Sequence, residues 1–181
     1  MKLGVYVGSF NPVHLGHIKV VNYLLDKKLV DKVLILPTPN YWNKQDLVEL
    51  KHRIAMLKFF ENNNIIIDEK NCIYPYTYQV LNHLKEDYPN DELYLIIGAD
   101  NLINLYKWKK AKEVLKYKII VLPRDNINIY QELEEYNKDN FVVADDFDYL
   151  DVSSTGVRNG NTNNMDKRVL TYINNNKLYA K

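Results

Sequence analysis

Apolar and polar positions along this chain switch between two periods. Short runs in which most positions are apolar predict strands at Leu3 to Val7, Lys32 to Leu36, Ile65 to Asp68, Glu92 to Ile97, Lys118 to Leu122 and Asn140 to Ala144. Pro37 and Pro123 stop the second and fifth runs. Between the runs, apolar residues recur at helical spacing. Leu15 to Lys27 carries Ile18, Val21, Leu24 and Leu25 on one face, and Leu47 to Glu61 carries Leu50, Ile54, Leu57 and Phe60. Tyr76 to Asp87 carries Val80, Leu81 and Leu84, and further helices are predicted at Trp108 to Leu115 and Met165 to Asn175.

Strand and helix therefore alternate, and the strands are apolar on both faces. That combination predicts an α/β fold: a Rossmann-like, doubly wound, mostly parallel sheet with helices on both faces and a small C-terminal helical segment. At 181 residues, with no repeat and no low-complexity linker, the reading is a single domain over residues 1–181. In such sheets ligands bind beyond the carboxyl ends of the strands, near the switch in strand order. The residues with chemical potential fall at those ends: Gly8 to His17, Pro37 to Lys44, Gly98 to Asp100, and Pro123 with Arg124.

Charge sharpens this picture by subtraction. Lys plus Arg number 24 and Asp plus Glu 23, a net charge of +1. No long-range field draws the chain to nucleic acid or a membrane surface, so any anion site is local. No apolar run approaches the ~20 residues of a membrane span. The N-terminal MKLGVYVGSF reads as a strand rather than a signal peptide. Cys72 is the single cysteine, which excludes an internal disulfide and fits a cytoplasmic location.

"GVYVGSFNPVHLGHIKVVNYLL", from Gly4, carries the first candidate site. Gly8 and Ser9 turn the chain out of a strand, where glycine lets backbone N–H groups approach a ligand. The helix beginning near Leu15 offers a partly positive N-terminus suited to an anion. His14 and His17, three apart, can share one side of its first turn, with Gly16 between them keeping the approach open. Two imidazoles there can donate to phosphate oxygens whose charge grows in a transition state. Two surface histidines after a turn are the plainer alternative. A zinc site needs more ligands than the spacing of Cys72, His52 and His83 offers.

"DVSSTGVRNG", near the other end, is the second. Ser153, Ser154 and Thr155 are hydroxyl donors and good helix caps. Arg158 follows Ser154 by four and can share its face. Hydroxyls and a guanidinium suit a leaving pyrophosphate; a capped helix with a surface arginine is the alternative.

Together the two motifs resemble those of the nucleotidyltransferase superfamily, G-[ST]-F-[DN]-P-x-H-x-G-H and [IV]-S-[SA]-T-x-[IV]-R. The resemblance implies that Gly8, Ser9, Phe10 and Gly16 belong to the ATP site. It further implies that His14 and His17 hold the nucleotide phosphates, and that Ser153, Ser154, Thr155 and Arg158 meet the β- and γ-phosphates. "YTYQVLNHL", "LYLIIGADNLINLYKW", "KIIVLPR" and "YINNNKLY" extend the likeness over nearly the whole chain. They are similar to bacterial nicotinate mononucleotide adenylyltransferases, which make deamido-NAD and pyrophosphate from ATP and the mononucleotide. On that resemblance Gly98 lies by the adenine and Asp100 binds the adenosine ribose. Trp108 stacks on the pyridine ring. Thr77 and Lys109 meet the nicotinate carboxylate through their backbones, Lys44 meets the acceptor phosphate, and Arg124 belongs to the mononucleotide site. Asp100 can also be read as a helix N-cap. Mg²⁺ would be bound mainly through the ATP phosphates, with no protein metal site.

Some residues depart from the pattern. "PNYWNK" stands where P-P-H-K is usual, and with "LVELKHRIAML" it leans toward enzymes that take nicotinamide mononucleotide. "GSFNP" leans the same way, and Tyr41 or Trp42 could then line the acceptor pocket. His52 is read as structural. Phosphopantetheine and cytidylyl transferases and a catalytically silent nucleotide sensor are the other readings. A homo-oligomer is left open.

Overall fold

The computed structural model describes residues 1–40 and 46–180; Tyr41, Trp42 and Lys44 fall outside them. The elements in chain order are β1 (Lys2–Gly8), α1 (Leu15–Asp26), β2 (Lys32–Pro37), α2 (Leu50–Lys58), β3 (Ile65–Ile67), α3 (Thr77–Asp87) and β4 (Glu92–Gly98). They continue with α4 (Ala99–Asn104), α5 (Ala111–Val114), β5 (Lys118–Leu122), α6 (Ile129–Glu132), β6 (Phe141–Val143), α7 (Ser154–Arg158) and α8 (Lys167–Asn175). Six strands form one sheet in the order β3-β2-β1-β4-β5-β6, and every neighbouring pair is parallel. The order reverses between β1 and β4, so a crevice opens beyond Gly8 and Gly98.

The sheet is covered on both faces. In β4, buried Leu93, Leu95 and Ile97 point one way, and Tyr94 and Ile96 the other. The first set joins Leu3, Val5, Leu34, Leu36, Ile119 and Val121 under Val80, Leu81 and Leu84 of α3 and Leu102 of α4. The second joins Val33, Ile35, Ile65, Ile67 and Ile120 under Val21 and Leu24 of α1, Met56 and Leu57 of α2 and Val169 of α8. Among the described residues no helix is long and apolar enough to cross a membrane.

Four helices differ from their sequence reading. α2 starts at Leu50, not Leu47, because the backbone before it is used elsewhere: Val48 N–H donates to Asn11 Oδ1, and its carbonyl accepts from Arg53 Nε. Its buried residues are Arg53, Met56 and Leu57; Leu50, Ile54 and Phe60 are only partly covered. The helix expected over Trp108 to Leu115 shrinks to Ala111–Val114, because Trp108 is extended (ψ 148°) and Lys110 is left-handed (φ 50°). The pattern also passes over α4 and α6, each too short to show a period. α4 makes Gly98 the N-cap residue and puts Asp100 inside the helix, so Asp100 is not the cap.

Candidate active site

His14 and His17 shape the opening turn of α1 between them. His14 is the N-cap residue in extended backbone (φ −134°, ψ 173°), and its Nδ1 accepts from the His17 N–H at 3.4 Å. In return, His17 Nδ1 accepts from the His14 N–H at 3.1 Å. This is a reciprocal capping box with histidine in both roles. It also fixes the chemistry. With both Nδ1 atoms acting as acceptors, the proton of each neutral ring belongs on Nε2, leaving one N–H donor per ring. The rings stack with centroids 3.7 Å apart and planes 19° from parallel.

Such a pair resists protonation. His14 is 4% exposed, and burial, helped by the Arg124 charge, pulls it down to about 4. His17 is held well below the ordinary histidine value by burial first, then by His14 and Arg124. At neutral pH both rings are therefore uncharged donors.

Glycine is required beside them. A Cβ on Gly16 would come within 2.9 Å of the His14 ring and 2.7 Å of Val152 Cγ1. Phe10 supports His17 from below, edge to face at 4.8 Å, in the left-handed region (φ 44°) and 2% exposed. Phe10 is thus largely a packing residue whose rim reaches the cavity wall.

The cavity at the switch point is lined by Gly8, Phe10, His14, Gly16 and His17 on the β1 side. Gly98 lines it from the end of β4, Asp100 from α4, Arg124 from just beyond β5, and Ser153 and Ser154 from the start of α7. Tyr149 and Phe147 add apolar wall, with the Arg124 guanidinium 6.0 Å from the Tyr149 ring centre. Arg124 also donates to the Val152 carbonyl at 2.9 Å. Asp100 is exposed, and a Cβ on Gly98 would meet its Oδ1 at 2.5 Å, so only glycine leaves the carboxylate that position.

The second motif docks directly on the first. Ser153 caps α7, accepting from Gly156 N–H at 3.0 Å. Ser154 Oγ donates to the Pro12 carbonyl at 2.9 Å, and Arg158 Nη1 donates to the Asn11 carbonyl at 2.8 Å. Arg158 Nη2 bonds Thr155 Oγ1 at 3.2 Å. Arg158 and Thr155 line an adjoining cavity with Ser9 and Ser154, and Ser154 is common to both.

The mononucleotide candidates divide. Arg124 stands in the histidine cavity rather than with Thr77, Trp108 and Lys109, because β5 ends beside β4. Thr77 opens α3 just after Tyr76, and Lys109 Nζ lies 4.5 Å from the centre of the Tyr76 ring. Trp108 is partly buried against the α3 face of the sheet. Lys44 lies outside the described residues.

Sequence reasoning missed three supports. Arg53, fully buried, donates to the carbonyls of Val48 (2.9 Å) and Ser9 (3.0 Å) and to Asn40 Oδ1 (3.0 Å). Its place one turn before Met56 and Leu57 was the available signal. Asn11 and Tyr179 are the others, joined by a 2.7 Å hydrogen bond. His52 shares a 2.7 Å hydrogen bond with the Tyr172 hydroxyl, tying α2 to α8. Among the described residues no group of three His, Cys, Asp or Glu side chains is placed to hold a metal ion.

Comparison with known proteins agrees with this geometry. The cytidylyltransferase-like family description matches residues 5–160. A relative from Fusobacterium nucleatum, named "probable nicotinate-nucleotide adenylyltransferase", is 38% identical over 92% of this chain and 90% of its own. One from Acholeplasma laidlawii with the same name is 33% identical over 97% and 96%. Among solved structures, Plasmodium falciparum nicotinic acid mononucleotide adenylyltransferase complexed with NaAD superposes with a TM-score of 0.84. It covers 98% of this chain and 97% of its own at 20% identity, a likeness of fold.

Proposed function

The chain belongs to the cytidylyltransferase-like family, and we propose that it acts as a nicotinate-nucleotide adenylyltransferase. It transfers AMP from ATP to nicotinate mononucleotide, giving deamido-NAD and pyrophosphate, within one domain. The observation that carries the reading is the docking of Ser154 on Pro12 and Arg158 on Asn11. It unites two anion-binding motifs, from opposite ends of the chain, beside the histidine pair. The near-full-length relatives support the acceptor.

In this reading ATP lies across the switch point, with adenine near Gly98 and the end of β5 and its ribose at Asp100. The Nε2–H donors of His14 and His17 hold the phosphates around the α-phosphorus. Ser153, Ser154, Thr155 and Arg158 receive the β- and γ-phosphates, with Gly8, Ser9 and Gly16 keeping the backbone close. Arg124, in the same cavity, adds a cation. The acceptor's 5′-phosphate is already an anion and needs no general base. Its oxygen bonds to the α-phosphorus as the bond to the bridging oxygen breaks, and pyrophosphate carries that electron pair away. Catalysis is positioning and charge stabilisation, without a covalent enzyme intermediate.

Mg²⁺ fits this site as a companion of the triphosphate. Among the described residues the carboxylates lining the two cavities are Asp100 and Asp46, one in each, so phosphate oxygens and water would supply most of its ligands. When bound it neutralises phosphate charge.

For the acceptor, Trp108 would stack on the pyridine ring, and the backbones of Thr77 and Lys109 would meet the carboxylate. Lys44 would meet the mononucleotide phosphate, and the "PNYWNK" departure makes the amide acceptor the second reading. The test is product analysis. Mg·ATP with nicotinate mononucleotide should give deamido-NAD and pyrophosphate in equal amounts. ATP left intact would overturn the assignment.

A further inference from the structure

The segment after α8 reaches back to the β1 loop. Leu178 N–H donates to the Ile173 carbonyl at 3.0 Å and Lys177 N–H to Asn174 at 3.3 Å, a Schellman ending. Lys177 (φ 53°) and Tyr179 (φ 58°) both adopt left-handed backbone without being glycine. The turn delivers the Tyr179 hydroxyl to Asn11 Oδ1 at 2.7 Å, across 168 positions of sequence.

Asn11 is buried and its hydrogen bonds run to several segments. Oδ1 also accepts from Val48 N–H at 3.2 Å, and Nδ2 donates to the Asp46 carbonyl at 2.7 Å. Its own carbonyl takes Arg158 Nη1. One residue thus clamps the β1 loop, residues 46–48, α7 and the segment after α8. Tyr179 lines a cavity with Arg158, Thr155 and Asp46. Burial pushes the Tyr179 hydroxyl well above the usual tyrosine value despite nearby Arg53 and Arg158, so it stays a neutral donor.

We propose that Tyr179 is a positioning residue for nucleotidyl transfer: its hydroxyl fixes Asn11, and Asn11 fixes the guanidinium of Arg158 for the phosphates of ATP. This rests on the adenylyltransferase reading. Besides the main-chain carbonyl of Asn11, Arg158 bonds Thr155 Oγ1, and without the clamp its fork could turn from the nucleotide.

The test is calorimetric titration of the full chain with Mg·ATP, without mononucleotide, for Tyr179→Phe, Arg158→Ala and the double variant. Loss of one neutral hydrogen bond acting through Arg158 should weaken ATP by about five- to tenfold in Tyr179→Phe. The double variant should match Arg158→Ala within about twofold, because the path from Tyr179 ends at Arg158. In turnover, KM for ATP should rise while KM for the mononucleotide holds. An equal loss from Tyr179→Phe in both backgrounds, or none in either, would overturn the proposal. An unsubstituted protein that does not bind Mg·ATP would overturn the functional reading as well.

Discussion

The rings of His14 and His17 stack 3.7 Å apart, and each takes a backbone N–H from the other's residue. This exchange leaves both Nε2–H groups as donors at a cavity wall. If they stabilise charge at the α-phosphorus, His17→Ala should lower kcat by about 10²–10³. Steady-state kinetics with saturating ATP reads this directly. A loss of only a few-fold would remove His17 from the transition state.

Their burial also sets a pH dependence of stability. His14 is held at about 4 when folded, against about 6.5 in an unfolded chain. Between those values the unfolded state binds the extra proton, so stability rises with pH through this window and is lost on acidification. Each buried histidine should contribute a slope of up to about 1.4 kcal/mol per pH unit. Urea denaturation at a series of pH values measures it. His14→Gln should flatten the slope between pH 6.5 and 4.

Gly16 is predicted to be intolerant of any side chain. An added Cβ would press on the His14 ring and on Val152 together. Gly16→Ala should cost about 1–3 kcal/mol of stability as overpacking and displace the ring. Thermal unfolding and kcat should fall together. Unchanged values in both would show that the turn relaxes freely.

Arg53 holds the β1 loop from beneath. Replacing it by Met leaves the part-buried carbonyls of Ser9 and Val48 without their donor, a loss of about 1–3 kcal/mol for each group left unpaired, while the exposed Asn40 side chain can turn to water. At about 2–4 °C per kcal/mol for a chain of this size, Tm should drop by at least about 4 °C. A Tm within about 2 °C of the unsubstituted protein would contradict the supporting role.

The sheet and both candidate motifs were legible because their signals are local. Fully apolar strands bounded by proline or glycine show in any short window, and so does the spacing of His14 and His17. What escaped the sequence was long-range or brief. Arg53 breaks the rule that charges avoid the core, and its acceptors lie on loops up to 44 positions away. The left-handed Lys110 cut the helix after Trp108 although lysine gives no turn signal. Strand order brings Arg124 into the histidine cavity, and one-dimensional spacing carries no strand order.

The central claim is adenylyl transfer to a pyridine mononucleotide. Its most direct test is pyrophosphate release from Mg·ATP with nicotinate and nicotinamide mononucleotides in parallel. The account predicts rapid release with the acid and far slower release with the amide. Faster release with the amide would reverse the acceptor assignment, and no release with either would contradict the account.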